Sequence, residues 1–546
     1  MKVAEAVGRA LVAAGVDHVF GVVGSGNFHL TNAMVAAGAR FVAARHEGGA
    51  ATMADAYART SGTLTALSVH QGPGLTNALT GITEAAKSRT PLLVLAAEAT
   101  AQRSNFRVEQ AVLAHSVGAV TARVTTAHDA VDQAAAALRR ARHERRTVLL
   151  NLPLEVQALD VPEGVPLGAP PPAGPEPVEP SRRAVTDLVR ALERARRPVF
   201  VAGRGARTPA ARDALTALAE RYGALLATSA VARGLFHGSP WSLDVSGGFA
   251  SPLATELIQG ADLIVGWGCA LNMWTMRHGT LIGPGAAVVQ VDDDPEALGA
   301  HREVDLGVVG DVARTARRAL AAADEGREGY RTAGVATALA ERARWRDVPY
   351  EDEGSRERID PRTLSIALDE ILPAERVVGV DSGNFMGYPS AYLSVPDENG
   401  FCFTQAFQSI GLGLATTIGA ALARPDRLPV AALGDGGALM SAVELDTVRR
   451  LGLPIVVVVY NDEAYGAEVH HFGPDGFPLD TVTFPETDIA AVARGYGFEA
   501  VTVRTPADLK AVADWVAGPR AAPLLVDAKV TRDHGAWWLE EAFRGH

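Results

Sequence analysis

Two aspartates, Asp435 and Asp462, stand 27 positions apart with a strand–helix–strand pattern between them. Gly434-Asp435-Gly436-Gly437 closes the apolar run PVAAL, so Asp435 falls at the carboxyl end of a strand, where open α/β sheets bind ligands. ALMSAVELDTVRRLG then reads as a helix, LPIVVVVY as the next strand, and Asn461-Asp462-Glu463-Ala464 as that strand's end. Such a path returns the chain beside its starting point, so both carboxylates and a backbone carbonyl can meet at one hard cation. Oxygen-only ligation suits Mg²⁺, which takes a few carboxylates together with phosphate oxygens. The glycines let backbone N–H groups approach those phosphates. Two aspartates capping adjacent turns are the ordinary alternative.

Other residues carry weaker signals alone. Glu47 opens a helical pattern, EGGAATMADAYART, where an acid is favoured by the helix dipole in any protein. His70 follows a buried-strand pattern and begins a glycine-rich corner, HQGPGLTN; a satisfied core histidine is the plain reading. The turns GVVGSGN (Gly21, Gly24, Gly26) and GRGAR (203–207) follow strands as phosphate-binding turns do, but neither is GxGxxG. Strand-to-helix corners need glycine anyway, so they support a nicotinamide-dependent oxidoreductase only as a distant alternative.

The metal pattern, GDGG…LPIVVVVYNDEAYG, resembles the thiamine-diphosphate motif of the acetolactate synthase, benzoylformate decarboxylase and pyruvate decarboxylase group. That motif opens with GDG and closes on an asparagine pair. The resemblance implies Asp435, Asp462 and the carbonyl of Ala464 as Mg²⁺ ligands, with Gly434, Gly436 and Gly437 beside the diphosphate. The closing pair here is Asn461-Asp462, so the second ligand becomes a carboxylate, which could alter metal preference.

FVAARHEGGA, positions 41–50, is similar to the segment carrying the family's catalytic glutamate and assigns that role to Glu47. A carboxyl bonded to N1′ of thiamine favours the imino tautomer, whose 4′-nitrogen removes the C2 proton. By the same resemblance His70 and Gln71 lie on the corner facing substrate, as does Ser25 of the GVVGSGN turn. Ser382, Gly383, Asn384 and Phe385 match the segment touching the diphosphate. Gln408 would offer its carbonyl to the 4′-amino group, and Ile410 would prop thiamine into its bent shape. Glu468, six residues past Asp462, resembles an active-site acid of pyruvate decarboxylases, and His470 and His471, which follow closely, are candidates to face substrate; a solvated loop is the ordinary alternative for all three.

Positioning these residues requires a particular architecture. Apolar strand patterns (VDHVFGVVG, RFVAARH, TLTALSVHQ, PLLVLAAEA, TVLLNLP) alternate with helical ones over the first third, which means a parallel sheet covered on both faces. RPVFVAG, ADLIVGWG and AAVVQVDDD form a second such unit, and RVVGVDSG, PVAALGDGG, PIVVVVYND and PLLVDAKV a third. EAAKSRTPLLVLAAE and DTVRRLGLPIVVVVYND share one pattern, pointing to related outer units around a different middle one. The expected fold is α/β: three doubly wound parallel-sheet domains. They comprise a pyrimidine-binding domain over 1–160 holding Glu47, a central domain over 181–340 and a diphosphate- and Mg-binding domain over 355–535. The Pro-rich stretch 161–180 reads as a linker.

Composition narrows the class further. The 546 residues carry a net charge of −12 and are 48% hydrophobic, which excludes disorder. An acidic pI near 5.7 argues against nucleic acid or an anionic membrane surface as partner. Cys269 and Cys402 lack metal-ligand or disulfide spacing and fit a reducing cytoplasm. The first residues, MKVAEAVGRALVAAGV, place Val3, Ala6, Val7, Ala10 and Leu11 on one face, an amphipathic helix rather than a signal peptide. The expectation is a cytoplasmic enzyme that decarboxylates a 2-oxo acid and ligates the product to a second carbonyl of an aldehyde or ketone. HEGGA and QGPGLTN favour that acetolactate-synthase-like branch. His70 and YGAEVHHF favour the alternative, simple decarboxylation or benzaldehyde-lyase-type cleavage. The resemblance further implies thiamine diphosphate and Mg²⁺ as cofactors and at least a homodimer, usually a homotetramer. FAD, carried by anabolic relatives, is left open, because no flavin signature stands out.

Overall fold

A computed structural model describes residues 1–167 and 176–544. Three six-stranded sheets, every strand parallel, follow one another along the chain. The first contains β1 (His18–Gly21), β2 (Arg40–Ala43), β3 (Thr65–Val69), β4 (Leu92–Glu98), β5 (Val120–Arg123) and β6 (Thr147–Pro153). The second holds β7 (Pro198–Ala202), β8 (Leu225–Thr228), β9 (Ser242–Val245), β10 (Leu263–Trp267), β11 (Ala287–Asp292) and β12 (Leu306–Val309). The third is β13 (Arg376–Val380), β14 (Phe401–Phe403), β15 (Leu428–Gly434), β16 (Val456–Asn461), β17 (Glu499–Val503) and β18 (Leu524–Lys529). The central strands are buried on both faces, which their runs of Val, Leu and Ile require.

The sheets have two topologies. The first runs β2-β1-β3-β4-β6-β5 and the third β14-β13-β15-β16-β18-β17, the same order when each is counted from its own first strand. The second runs β12-β11-β10-β7-β8-β9, the dinucleotide-fold order. The α/β class and the kinship of the outer units thus match the pattern in the sequence. Part of the Pro-rich stretch 161–180 lies outside the described residues. Both cysteines are free and buried, and among the described residues no helix is long and apolar enough to cross a membrane.

Helix packing joins the outer units. The helix Glu47–Ser61 lies against the helix Gly413–Ala423, and Ala50, Met53 and Ala54 share one apolar cluster with Leu414, Ala415 and Ile418. Their backbones come so close that a Cβ on Gly419 would sit 2.2 Å from the Met53 carbonyl oxygen. One expected helix is two: ALMSAVELDTVRRLG divides into Asp435–Met440 and Glu444–Leu451. At the first helix's end the Ser441 hydroxyl donates to the Gly437 carbonyl at 2.8 Å. Glu444 then turns its carboxylate to the first unit, accepting from the backbone N–H groups of Arg45 and His46.

Candidate active site

Parallel pairing of β15 with β16 sets Gly434 opposite Tyr460, so Asp435 and Asp462 emerge side by side at the two carboxyl ends. Both side chains are buried. Burial pushes both carboxyls above the usual carboxylate range, and the charge of Asp435 drives Asp462 higher still. Among the described residues no ion pair brings a cation to either carboxyl, so the pair is chemically suited to a bound one. Asn461 is turned away from the pair: its amide donates to Asp527 at 2.8 Å and its oxygen accepts from the Glu463 N–H. The second member of the closing pair is therefore the one that joins Asp435. Among the described residues no cluster of three or more His, Cys, Asp or Glu side chains could hold a metal. Two carboxylates and the Ala464 carbonyl fit Mg²⁺ only when other oxygens, such as those of a diphosphate, complete the shell.

Side chains are kept out of the space around this pair. A Cβ on Gly466 would stand 2.2 Å from Asp462 Oδ2, and one on Gly437 would stand 2.1 Å from Asp381 Oδ2. Gly436 lies under the Tyr465 ring and Gly434 against Phe385, whose ring stacks on Tyr460 at 5.4 Å. Ser382, Gly383 and Asn384 follow β13 into the same corner and are half-buried; the Asn384 side-chain oxygen accepts from the Ala536 N–H. Ile410 is half-exposed beside the Asp435–Met440 helix, Gly411 facing Met440, while Gln408 is exposed with φ at +61°.

In the first unit, Glu47 begins its helix behind His46, which caps the Gly48 N–H. Glu47 Oε2 accepts from the Asn77 amide at 3.1 Å, and Oε1 lies over Gly74. His70, at the end of β3, is half-buried; its Nδ1 accepts from the Gly26 N–H at 3.2 Å. The tautomer that permits this bond carries its proton on Nε2. Burial lowers the His70 pKa below the usual imidazole value, and the Glu47 charge opposes the shift, so the two share one corner. Gln71 is buried against Gly26 with its side-chain oxygen unpartnered. Ser25, between Gly24 and Gly26 of the turn that touches His70, is exposed and lines a cavity of about 560 Å³ with Lys2, Arg9, His29 and Asn32.

Past Asp462, Glu468, His470 and His471 lie on the helix Gly466–Phe472, all half-buried. His471 stacks on Phe543 at 3.9 Å, and the backbone of Gly535 packs on His470, whose pKa is lowered by burial and by His534. The segment 535–543 is thus a neighbour of these histidines that no motif indicates. Its contacts to Asn384, Gly248 and His278 link positions 150 or more apart, beyond the reach of local patterns. Among the described residues, no hydrogen bond or ion pair joins Glu47 or His70 to Asp435 or Asp462.

The arrangement sets two buried carboxylates among glycines at the strand ends of the third sheet, and a carboxyl beside an imidazole at the strand ends of the first. Comparison with known proteins agrees along the whole chain. Residues 1–135 match the model of the thiamine pyrophosphate enzyme N-terminal TPP binding domain, 185–319 the central domain, and 381–528 the C-terminal TPP binding domain. A sulfoacetaldehyde acetyltransferase of Rhodobacter capsulatus is 30% identical, over 99% of this chain and 96% of its own. The acetolactate synthase large subunit of Parasynechococcus marenigrum is 27% identical over 92% of this chain and 83% of its own. A probable 2-ketoarginine decarboxylase of Pseudomonas aeruginosa is 30% identical over 92% and 89%. With both outer sheets and the middle one matched in order, the chain belongs to the thiamine-diphosphate-dependent enzymes, which form or cleave carbon–carbon bonds.

Proposed function

We propose that this enzyme requires Mg²⁺ and cleaves a 2-oxo acid beside its carbonyl, then ligates the acyl fragment to a second carbonyl compound. The observation that carries the reading is the buried pair Asp435–Asp462, side by side at two strand ends and flanked by glycines where a side chain would collide. Asp435, Asp462 and the Ala464 carbonyl would hold the metal, and Ser382, Gly383 and Asn384 would meet the diphosphate. When bound, thiamine diphosphate supplies the acidic C2 carbon and the ring that accepts the electron pair left by carbon–carbon cleavage. Glu47 would hold a proton at the pyrimidine N1′, kept in orientation by Asn77. His70, protonated on Nε2, would donate toward the substrate carbonyl oxygen. Gln71 has an unpartnered oxygen close by. Glu468, His470 and His471 would border the acceptor.

Glu47 and the carboxylate pair stand on different units, so two copies of the chain would complete each site. Val23, Phe28 and Phe106, exposed on the first unit, and Leu439, Met440 and Val443, exposed on the third, support such a contact. Incubation with pyruvate or benzoylformate, with and without an added aldehyde, tests the reading by product analysis. A hydroxyketone joining donor and acceptor is expected; free aldehyde as the sole product would overturn ligation. A second reading, cleavage with acetyl transfer, draws on His70 and on the Rhodobacter relative. Consumption of sulfoacetaldehyde in place of ligation would favour it.

A further inference from the structure

The segment between β14 and the helix Gly413–Ala423 carries Gln408 and Ile410, yet little packing fixes its shape. Ala406, Phe407 and Gln408 are exposed. Gln408 occupies the left-handed region with φ at +61°, a conformation that costs a non-glycine residue free energy unless its surroundings impose it. The side-chain amide of Gln405 is buried with neither its oxygen nor its nitrogen bonded, a second cost in the same stretch. Something else must hold these residues.

Two fully buried carboxylates do so, one at each end. Glu84, on the helix Pro73–Lys87 of the first unit, accepts from the Ala406 N–H at 3.1 Å and the Phe407 N–H at 2.6 Å, one on each oxygen. Asp381, at the end of β13, accepts from the Gly411 N–H at 2.9 Å and the Leu412 N–H at 3.2 Å. Glu84 is itself fixed by Arg59 at 2.7 Å and by the Ser88 hydroxyl at 3.1 Å. Arg59 also donates to the Phe403 carbonyl and pairs with Asp55. Charge-assisted bonds in a water-free setting are the strong ones. The span they enclose contains Gln408 and Ile410 and nothing else that anchors it in the core.

We propose that Glu84 is a positioning residue for the cofactor. Acting with Asp381 from the other end, it imposes the backbone shape that aims the Gln408 carbonyl at the 4′-amino group of thiamine. The inference rests on the functional reading above for what Gln408 and Ile410 face. Arg59 closes the helix that Glu47 opens, so one helix carries the N1′ acid at its start and the support of this span at its end.

Glu84→Gln tests it. An amide has one acceptor oxygen where the carboxylate has two, so its NH₂ would meet the Ala406 or Phe407 N–H donor to donor. Binding of thiamine diphosphate, and of its analogue bearing oxygen in place of the 4′-amino group, is measured with Mg²⁺ by tryptophan fluorescence. Thiamine diphosphate should bind about tenfold more weakly to the variant (roughly 1.4 kcal/mol). The analogue, which has no amino group to donate, should lose less than about threefold. Equal losses for both ligands, or no loss, would overturn the positioning role. Wild-type protein that binds neither ligand would instead overturn the functional reading. Hydrogen exchange on cofactor-free wild-type protein needs no variant to fold. The amides of Ala406, Phe407, Gly411 and Leu412 should be protected as a group, and free exchange at Ala406 and Phe407 would remove Glu84 from the account.

Discussion

Glu47 and His70 occupy one corner but differ in what their surroundings do to them. Glu47 faces Asn77 and the backbone of Gly74, a small-residue setting that leaves room for a ligand at its oxygens. Replacing it by glutamine preserves size and removes the proton exchange at N1′. Glu47→Gln should retain thiamine diphosphate yet slow hydrogen–deuterium exchange at C2 of the bound cofactor by at least about a hundredfold. Unchanged exchange would remove Glu47 from catalysis. His70 gives a prediction in pH. Its pKa is lowered in the fold by burial, with Glu47 opposing. The unfolded chain therefore takes up the proton first, and stability present at neutral pH is lost as pH falls through the unfolded imidazole's range. His70→Gln should lose less of its denaturation midpoint than wild type between about pH 7.5 and about pH 5.5. Its turnover per bound cofactor should fall at both; intact turnover would make His70 a structural residue.

Elements decide which of these residues could be read without coordinates. Asp435 and Asp462 were legible because a strand–helix–strand path of that length has one right-handed closure, which brings its strand ends together. Asp435→Ala should therefore release Mg²⁺ and thiamine diphosphate together in a binding titration; wild-type affinity in that variant would refute the site. Of the edge strands only β2 was legible. β5, β9, β12, β14 and β17 all lie at sheet margins, where half-exposed residues replace the long apolar runs that mark the interior. Glu84, Asp381 and Glu444 were equally hidden as supports, because their partners are backbone amides, which no residue type advertises, and those of Glu84 and Glu444 lie over 300 positions away. The contact between the helices Glu47–Ser61 and Gly413–Ala423 supports all of them. Gly419→Ala gains up to about 1 kcal/mol of helix propensity, but its methyl would meet the Met53 carbonyl, which is backbone and cannot rotate away. Overpacking wins, and chemical denaturation should show a net loss of about 1–3 kcal/mol. Equal or greater stability would mean the two helices can separate without cost.

At the scale of the whole molecule, the matching order of the outer sheets has a functional consequence. Each presents its chemistry at the carboxyl ends of its strands: Glu47 and His70 follow β2 and β3, while Asp435 and Asp462 follow β15 and β16. Within one chain the two sheets are bound through helices, by the Ala50–Ile418 cluster and by Glu444 on the Arg45 and His46 amides. If two copies face each other so that the first unit of one meets the third unit of the other, a two-fold axis makes both sites at once. This arrangement can be tested with variants that are each inactive. Glu47→Gln and Asp435→Ala, co-expressed in equal amounts, should pair at random, so half the dimers are hybrids. In every hybrid one site carries both substitutions and the other carries none. Activity should then return to about a quarter of wild type, while each variant alone stays near background. If each chain builds its site from its own Glu47 and its own aspartates, no mixture contains an intact site. Co-expressed protein no more active than its parents, with hybrids verified by two affinity tags, would show that the site lies within one chain.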